Sequence, residues 1–196
     1  MHYSFFALIS RMKHITRWSL MRNSVTENIQ EHSHMVAVIA HALAVIRRDV
    51  FGKDADPNLI AAAALFHDAS EIFTGDMPTP IKYFNPEIMA AYKQVESIAA
   101  QKLLKSLPPE MHHAYASLLD ESDHSDATEL IKAADKLAAY IKCLEELGTG
   151  NLEFRLAAEQ SRAKLVLLDM PEVEYFIENF IDAFEKTLDE LGVNFE

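Results

Sequence analysis

The chain has 196 residues, 49% of them hydrophobic and 24% charged, with five glycines and seven prolines. That composition supplies a core and excludes both a disordered chain and a turn-rich all-β fold. Its 18 Lys+Arg against 30 Asp+Glu leave a net charge of −12, a field that repels polyphosphate. A nucleic-acid polymer is therefore not an expected partner, although a small anionic ligand can still be held by one or two local arginines.

Residues 3–14 read as a short amphipathic helix that ends before the polar stretch "TRWSLMRNSVTEN". Ser24 followed by Glu27 has the spacing of a capping box, with Thr26 as a rival cap, so a helix is expected from there to about residue 48. The apolar run inside it, "MVAVIAHALAVI", falls short of the roughly 20 residues that span a bilayer. "FFALIS" near the start is too brief for a signal-peptide core. Asp56 before Pro57 opens a helix to about residue 72, apolar on nearly all sides through "LIAAAALF" and hence central. Asn85-Pro86 opens another to about residue 106, and a shorter one is placed at about 109–120. Ser125 or Asp126 caps a helix to about residue 147, stopped by Gly148 and Gly150. Two more follow, near 152–168 and, after Pro171, to about 191. There is no sustained period-two alternation and no Asn-Gly or Asp-Gly hairpin. The expectation is an all-α protein of about seven helices, forming one domain over residues 1–196. The single cysteine, Cys143, cannot form an internal disulfide and reads as a small buried hydrophobe, which suits a reducing cytoplasm.

Polar groups fall on apolar helix faces at three places. Met35, Val36, Ile39, Leu43 and Ile46 share one helical face with His32, so His32 begins a core-facing stripe, while His34 and His41 lie on the opposite side. His67-Asp68 ends the alanine-rich helix, with Glu71 one turn on and "GDMPTP" after it. Asp135 stands in "IKAADKLAAYI", beside Ile131, Ala138 and Ala139. Singly, each could be a paired core group or a residue at a helix edge. Together they supply two imidazoles and two carboxylates. That mixed N/O set suits a divalent ion such as Mn2+, Fe2+, Co2+, Ni2+ or Zn2+, and the lack of thiolates argues against a purely structural zinc.

His32, then His67-Asp68, then Asp135 also resembles the signature of the HD-domain metal-dependent phosphohydrolases, in order and in helical context. "RW" at 17–18, "TENIQEHS" at 26–33, "FHDASEIFTGDMPTPIKYFN" at 66–85 and "KAADKLAAYIKCLEE" at 132–146 are similar to the bacterial 5′-deoxynucleotidases of the YfbR type. The similarity runs over essentially the whole chain and is closest through residues 5–145. It implies hydrolysis of deoxyribonucleoside 5′-monophosphates to deoxynucleoside and phosphate by a homodimer. It also implies one divalent metal ion per subunit, Co2+ first and Mn2+ or Cu2+ less well. The implied metal ligands are His32, His67, Asp68 and Asp135. The implied substrate contacts are Arg17, Trp18, His32, Asp76, Met77, Pro78 and Thr79, and the catalytic residues are Glu71 and Arg17. Relatives carry leucine where this chain has Met77, a nearly volume-conserving change.

Within that reading Arg17 offers a planar fork to phosphate, and Glu71 orients water or donates a proton. Trp18 flanks the sugar and excludes a 2′-hydroxyl; Asp76 accepts from the 3′-hydroxyl. Trp18 also reads as a packing anchor, Arg17 as a plain surface arginine and Glu71 as a solvated helix-end carboxylate. Three other readings compete: an HD hydrolase of a deoxynucleoside triphosphate, guanosine tetraphosphate or a cyclic dinucleotide; a non-catalytic nucleotide-binding regulator; and an acidic interaction scaffold. The cyclic-dinucleotide branch carries a GYP motif that is absent here. Polyphosphate substrates call for more cations than Arg17 and Lys82 provide.

Overall fold

The computed structural model describes residues 2–82, 84–119 and 125–192, with Thr79 and Pro80 described by their backbone only. Helix α1 (Phe5–Ile9) continues as a 3-10 turn over Ser10–His14. Helix α2 (Ile29–Val45) extends through a π turn at Ile46–Val50. Then come α3 (Pro57–Ala64), the one-turn helices α4 (Glu71–Thr74) and α5 (Thr79–Lys82), and α6 (Pro86–Leu104). The rest of the chain holds α7 (His112–Ala116), α8 (Asp126–Gly148), α9 (Arg155–Val166) and α10 (Pro171–Phe180). Among the described residues the only β pairing is an isolated antiparallel bridge between Thr16 and Asn28.

Local chemistry explains most helix starts. Asp56 accepts from the amides of Asn58 and Leu59 with Pro57 in the first turn, Asn85 caps α6 ahead of Pro86, and Ser125 caps α8. The start of α2 differs from expectation. Its N-cap is Asn28, whose side chain accepts from the Glu31 amide at 3.1 Å while Glu31 accepts from the Asn28 amide at 3.1 Å. Ser24 and Thr26 lie outside the helix, because the Thr16–Asn28 bridge keeps the chain extended up to Asn28 and the Ser24 amide donates to Glu146 instead.

The apolar face of α2 packs on α3 and α8, with α10 closing over it; Val36, Ala40, Leu43, Leu130, Ala134 and Leu137 are wholly buried in this main core. A second core joins Phe5, Ala69, Leu103, Leu107 and Leu119. A third, smaller one joins Cys143, Phe154 and Ala158, with Trp18 and Met21 against it. Cys143 is fully buried, as expected, and burial pushes its thiol up to about 12. The helical stretch Ile29–Val50 is 22 residues long and apolar enough, by length and composition, to cross a membrane, which the contiguous apolar run alone is not. Here 56% of its most apolar window is buried inside the protein, as in the central helix of a helical core.

A buried ion pair stitches residues 22–25 to the end of α8. Glu146, 1% exposed, accepts from the amides of Ser24 at 2.8 Å and Val25 at 3.2 Å, from Asn151 at 2.8 Å, and from Lys142. Lys142 also donates to the Val25 carbonyl at 2.6 Å. Burial opposes the Glu146 charge, but Lys142, Asn151 and the two amides outweigh it and hold the carboxyl well below the usual carboxylate range. A depressed pKa contributes stability above the unfolded value of about 4.3, lost as pH falls below it toward the folded value. Glu146→Gln at pH 7 is therefore expected to cost about 3–5 kcal/mol by leaving Lys142 buried without its anion. Denaturant titrations should show this deficit shrinking as pH drops from 5 to 3.

Candidate active site

Three polar clusters predicted on separate helices converge. The Nε2 atom of His32, on α2, lies 3.0 Å from Asp135 Oδ1, on α8, and 3.7 Å from Asp68 Oδ2. His67 Nε2 lies 3.1 Å from Asp68 Oδ2. One donor atom each from His32, His67 and Asp135 fall within 4.8 Å of one another, a possible metal site, and Asp68 stands beside both imidazoles. His32 is fully buried, whereas His34 and His41 are exposed, as the helical stripe predicts.

The segment carrying His67 and Asp68 departs from expectation. Regular α-helix stops at Ala64 rather than near residue 72. Several backbone bonds then run to the third residue before: Phe66 to Ala63, His67 to Ala64, Ala69 to Phe66, Glu71 to Asp68. His67 Nδ1 donates to the Ala64 carbonyl at 2.7 Å, which occupies the oxygen a continuing α-helix would use. This tightening ties Glu71 directly to Asp68, whose carbonyl accepts from the Glu71 amide at 3.0 Å. Glu71 also begins α4 instead of ending a long helix, so the reading of a helix-end carboxylate in solvent does not hold. The bond to Ala64 has a chemical result too. It commits the Nδ1 N–H to the backbone and turns the buried Nε2 toward the cluster, 3.1 Å from Asp68 Oδ2.

Arg17 and Trp18 sit in the loop between α1 and α2. The base of this loop is closed by bonds from Arg17 N to Glu27 O at 2.9 Å and from Ile29 N to Ile15 O at 3.0 Å. Arg17 reaches Asp68 Oδ2 at 3.4 Å, so it is no plain surface arginine. Trp18 has φ 56°, a left-handed conformation that costs an L-residue roughly 1–2 kcal/mol. Its ring packs on Phe154 with centroids 5.4 Å apart, and its indole donates to Glu27 Oε2 at 3.0 Å. The packing-anchor reading of Trp18 therefore holds, at the edge of the site. Asp76 is half-buried and faces the charges of Arg17, Asp68 and His32. Met77 and Pro78 are half-buried; the Pro78 carbonyl accepts from Ile81 and Lys82 to start α5. The side chain of Thr79 lies outside the described residues.

Sequence reasoning missed Glu27, which it read as a capping residue. The Glu27 carboxylate instead meets Arg17 Nε at 3.3 Å and His32 Nδ1 at 3.9 Å, as well as the Trp18 indole. The available signal was its place between "RW" and the first histidine.

Electrostatics sharpen the picture. Burial opposes the charge of Asp68, but His67, His32 and Arg17 outweigh it and hold the carboxyl far below the usual range. Asp135 is likewise brought down to about 2 against burial, chiefly by its bond to His32. Burial would lower His67, yet Asp68 and Asp135 raise it to about 9. Burial of Arg17 is outweighed by Asp68, Asp135, Glu27 and Asp76, which secure its charge. Glu71 goes the other way: burial, then Asp68 and Asp76, push its carboxyl up to about 9. It is only 6% exposed, and its Oε2 has no hydrogen-bond partner. Two imidazoles and two carboxylates around one point, overlooked by an arginine and a carboxyl held near neutrality, suit the binding and cleavage of a phosphate ester.

An all-helical fold that brings histidine and aspartate ligand types together between α2, the turn after α3, and α8 makes a candidate metal centre. The profile of the family described as "5′-deoxynucleotidase YfbR-like" matches residues 4–184, and the chain belongs to that family. It is 50% identical over 192 residues to a 5′-deoxynucleotidase of Erwinia tasmaniensis, covering 97% of each chain. It is 50% identical over 189 residues to the 5′-deoxynucleotidase YfbR of Shigella boydii serotype 18, covering 96% of this chain and 95% of that one. The fold matches an HD-domain phosphohydrolase from Listeria innocua with a TM-score of 0.79 at 24% identity, over 92% of this chain and 88% of that one. It also matches the cyanophage S-2L HD phosphohydrolase DatZ, solved with dA and one catalytic Zn2+ ion, with a TM-score of 0.61 at 22% identity over 93% of this chain and 99% of that one.

Proposed function

We propose that this chain hydrolyses deoxyribonucleoside 5′-monophosphates to deoxynucleoside and phosphate, with one divalent metal ion held by His32, His67, Asp68 and Asp135. The observation that carries the reading is the convergence of one donor atom each from His32, His67 and Asp135 within 4.8 Å, with the buried Nε2 of His67 3.1 Å from Asp68 Oδ2. An imidazole nitrogen buried in this way is stabilised by a metal, and the N/O donor set suits a borderline divalent ion. When bound, such an ion supplies Lewis acidity, lowering the pKa of water and drawing charge from phosphoryl oxygens.

The remaining work belongs to side chains. Arg17 turns its guanidinium from Asp68 to the phosphate and holds it by paired N–H donors. Glu71 is the proton carrier, buried one three-residue turn from Asp68. Trp18 bounds the sugar, with Asp76, Met77, Pro78 and Thr79 closing the other side and Asp76 taking the 3′-hydroxyl. A built steric boundary matters, because an apolar pocket rejects an added hydroxyl only about 10²-fold. The chain acts as one domain and as a homodimer in the cytoplasm. The shared α2–α8 core, the exposed apolar Ile88, Val95 and Ile98 along α6, and the buried free Cys143 support these points.

The test strips the metal, reloads with Co2+, Mn2+, Cu2+ or Zn2+, and measures phosphate release from dAMP, AMP and dATP. Release from dAMP, best with Co2+ and at least about 10²-fold slower from AMP, is the expected result. Equal rates on AMP, or preferred cleavage of dATP, would overturn it.

A further inference from the structure

Resting on that reading, we propose that Glu27 is a positioning residue: one carboxylate that aligns the metal ligand His32, the phosphate-binding Arg17 and the sugar-bounding Trp18. Its side chain is only 16% exposed. Oε2 accepts the Trp18 indole N–H at 3.0 Å and pairs with Arg17 Nε at 3.3 Å. Oε1 is 3.9 Å from His32 Nδ1. Nδ1 is buried and has no hydrogen-bond partner.

The geometry separates Glu27 from the ligands themselves. His32 turns Nε2 toward Asp135 and Asp68, so Glu27 stands behind the ring, on its Nδ1 side. A carboxylate in that place faces the Nδ1 edge of the ring while Nε2 stays turned to the ligand cluster, the arrangement by which an outer carboxylate orients a ligating imidazole. The same group opposes Asp68 across Arg17, so the guanidinium is held between two anions, at 3.3 and 3.4 Å. It also anchors the indole of Trp18, a left-handed residue whose ring packs on Phe154. Capping does not explain it: the capping box of α2 is built from Asn28 and Glu31.

The experiment compares Glu27→Gln and Glu27→Ala with the unaltered protein in three readouts. These are Co2+ affinity by indicator competition, emission of the chain's single tryptophan without metal, and KM against kcat for dAMP. Glutamine keeps an acceptor for the indole but loses the charge facing His32 and Arg17. Both variants should therefore bind Co2+ about 10–100-fold more weakly and show a raised KM. Only Glu27→Ala should shift tryptophan emission to the red. Co2+ affinity unchanged in both variants, or identical emission in both, would overturn the proposal. An unaltered protein that binds Co2+ but leaves dAMP intact would instead sink the deoxynucleotidase reading, with the affinity and emission comparisons still deciding the role of Glu27.

Discussion

Replacing His67 with alanine is expected to lower dAMP hydrolysis by at least about 10³-fold and to empty the metal site at micromolar Co2+. The 2.7 Å bond to Ala64 holds the ring with Nε2 toward the cluster, and alanine supplies no donor atom there. The metal's share of transition-state charge stabilisation is several kcal/mol, and about 4 kcal/mol corresponds to roughly 10³ in rate. The fold should survive, because Asp68 keeps Arg17 and His32 as cationic or donor neighbours. Metal content by elemental analysis, melting temperature and phosphate release separate loss of the ion from loss of the fold. A variant with full metal content and normal rate would remove His67 from the ligand set.

Glu71→Gln is expected to lower kcat by about 10²–10⁴-fold with little change in KM, the range for removal of a general acid or base. Glutamine preserves the volume of this buried side chain but can neither give nor take a proton. Stability should move in the opposite direction. Burial and the charges of Asp68 and Asp76 both disfavour the ionised carboxylate, so the neutral amide should melt at the same temperature or higher. Loss of rate with retained or improved stability marks a group whose placement serves chemistry rather than folding. Equal kcat in the two proteins would assign proton transfer elsewhere.

The helices were legible wherever their signals are local. Asp56-Pro57, Asn85-Pro86 and Ser125 start helices by contacts within one turn, and the His32 stripe follows from helical spacing alone. The expectation of about seven helices counted the long segments; one-turn pieces such as α4 and α5 fall inside stretches read as helix end or loop. The tightening after Ala64 was not legible, because it depends on a histidine side chain taking a backbone carbonyl in its own helix. The start of α2 was misplaced for a tertiary reason: Glu146, more than a hundred residues later in sequence, takes the Ser24 amide that a cap would otherwise leave to the helix. Metal-ligand types stood out as polar interruptions of apolar faces. Glu27 sits in a polar loop, where one more carboxylate carries no such contrast, and only the contacts of Arg17, Trp18 and His32 reveal it.

The parts of the site are rooted in different packing units. His32 and Asp135 belong to helices of the main core, Ala69 ties the adjoining Asp68 to the second, and Trp18 leans on the third through Phe154. Proteins open region by region before they melt as a whole. On heating, catalytic half-life is therefore set by whichever unit yields first, and activity fades while most of the helix content is still intact.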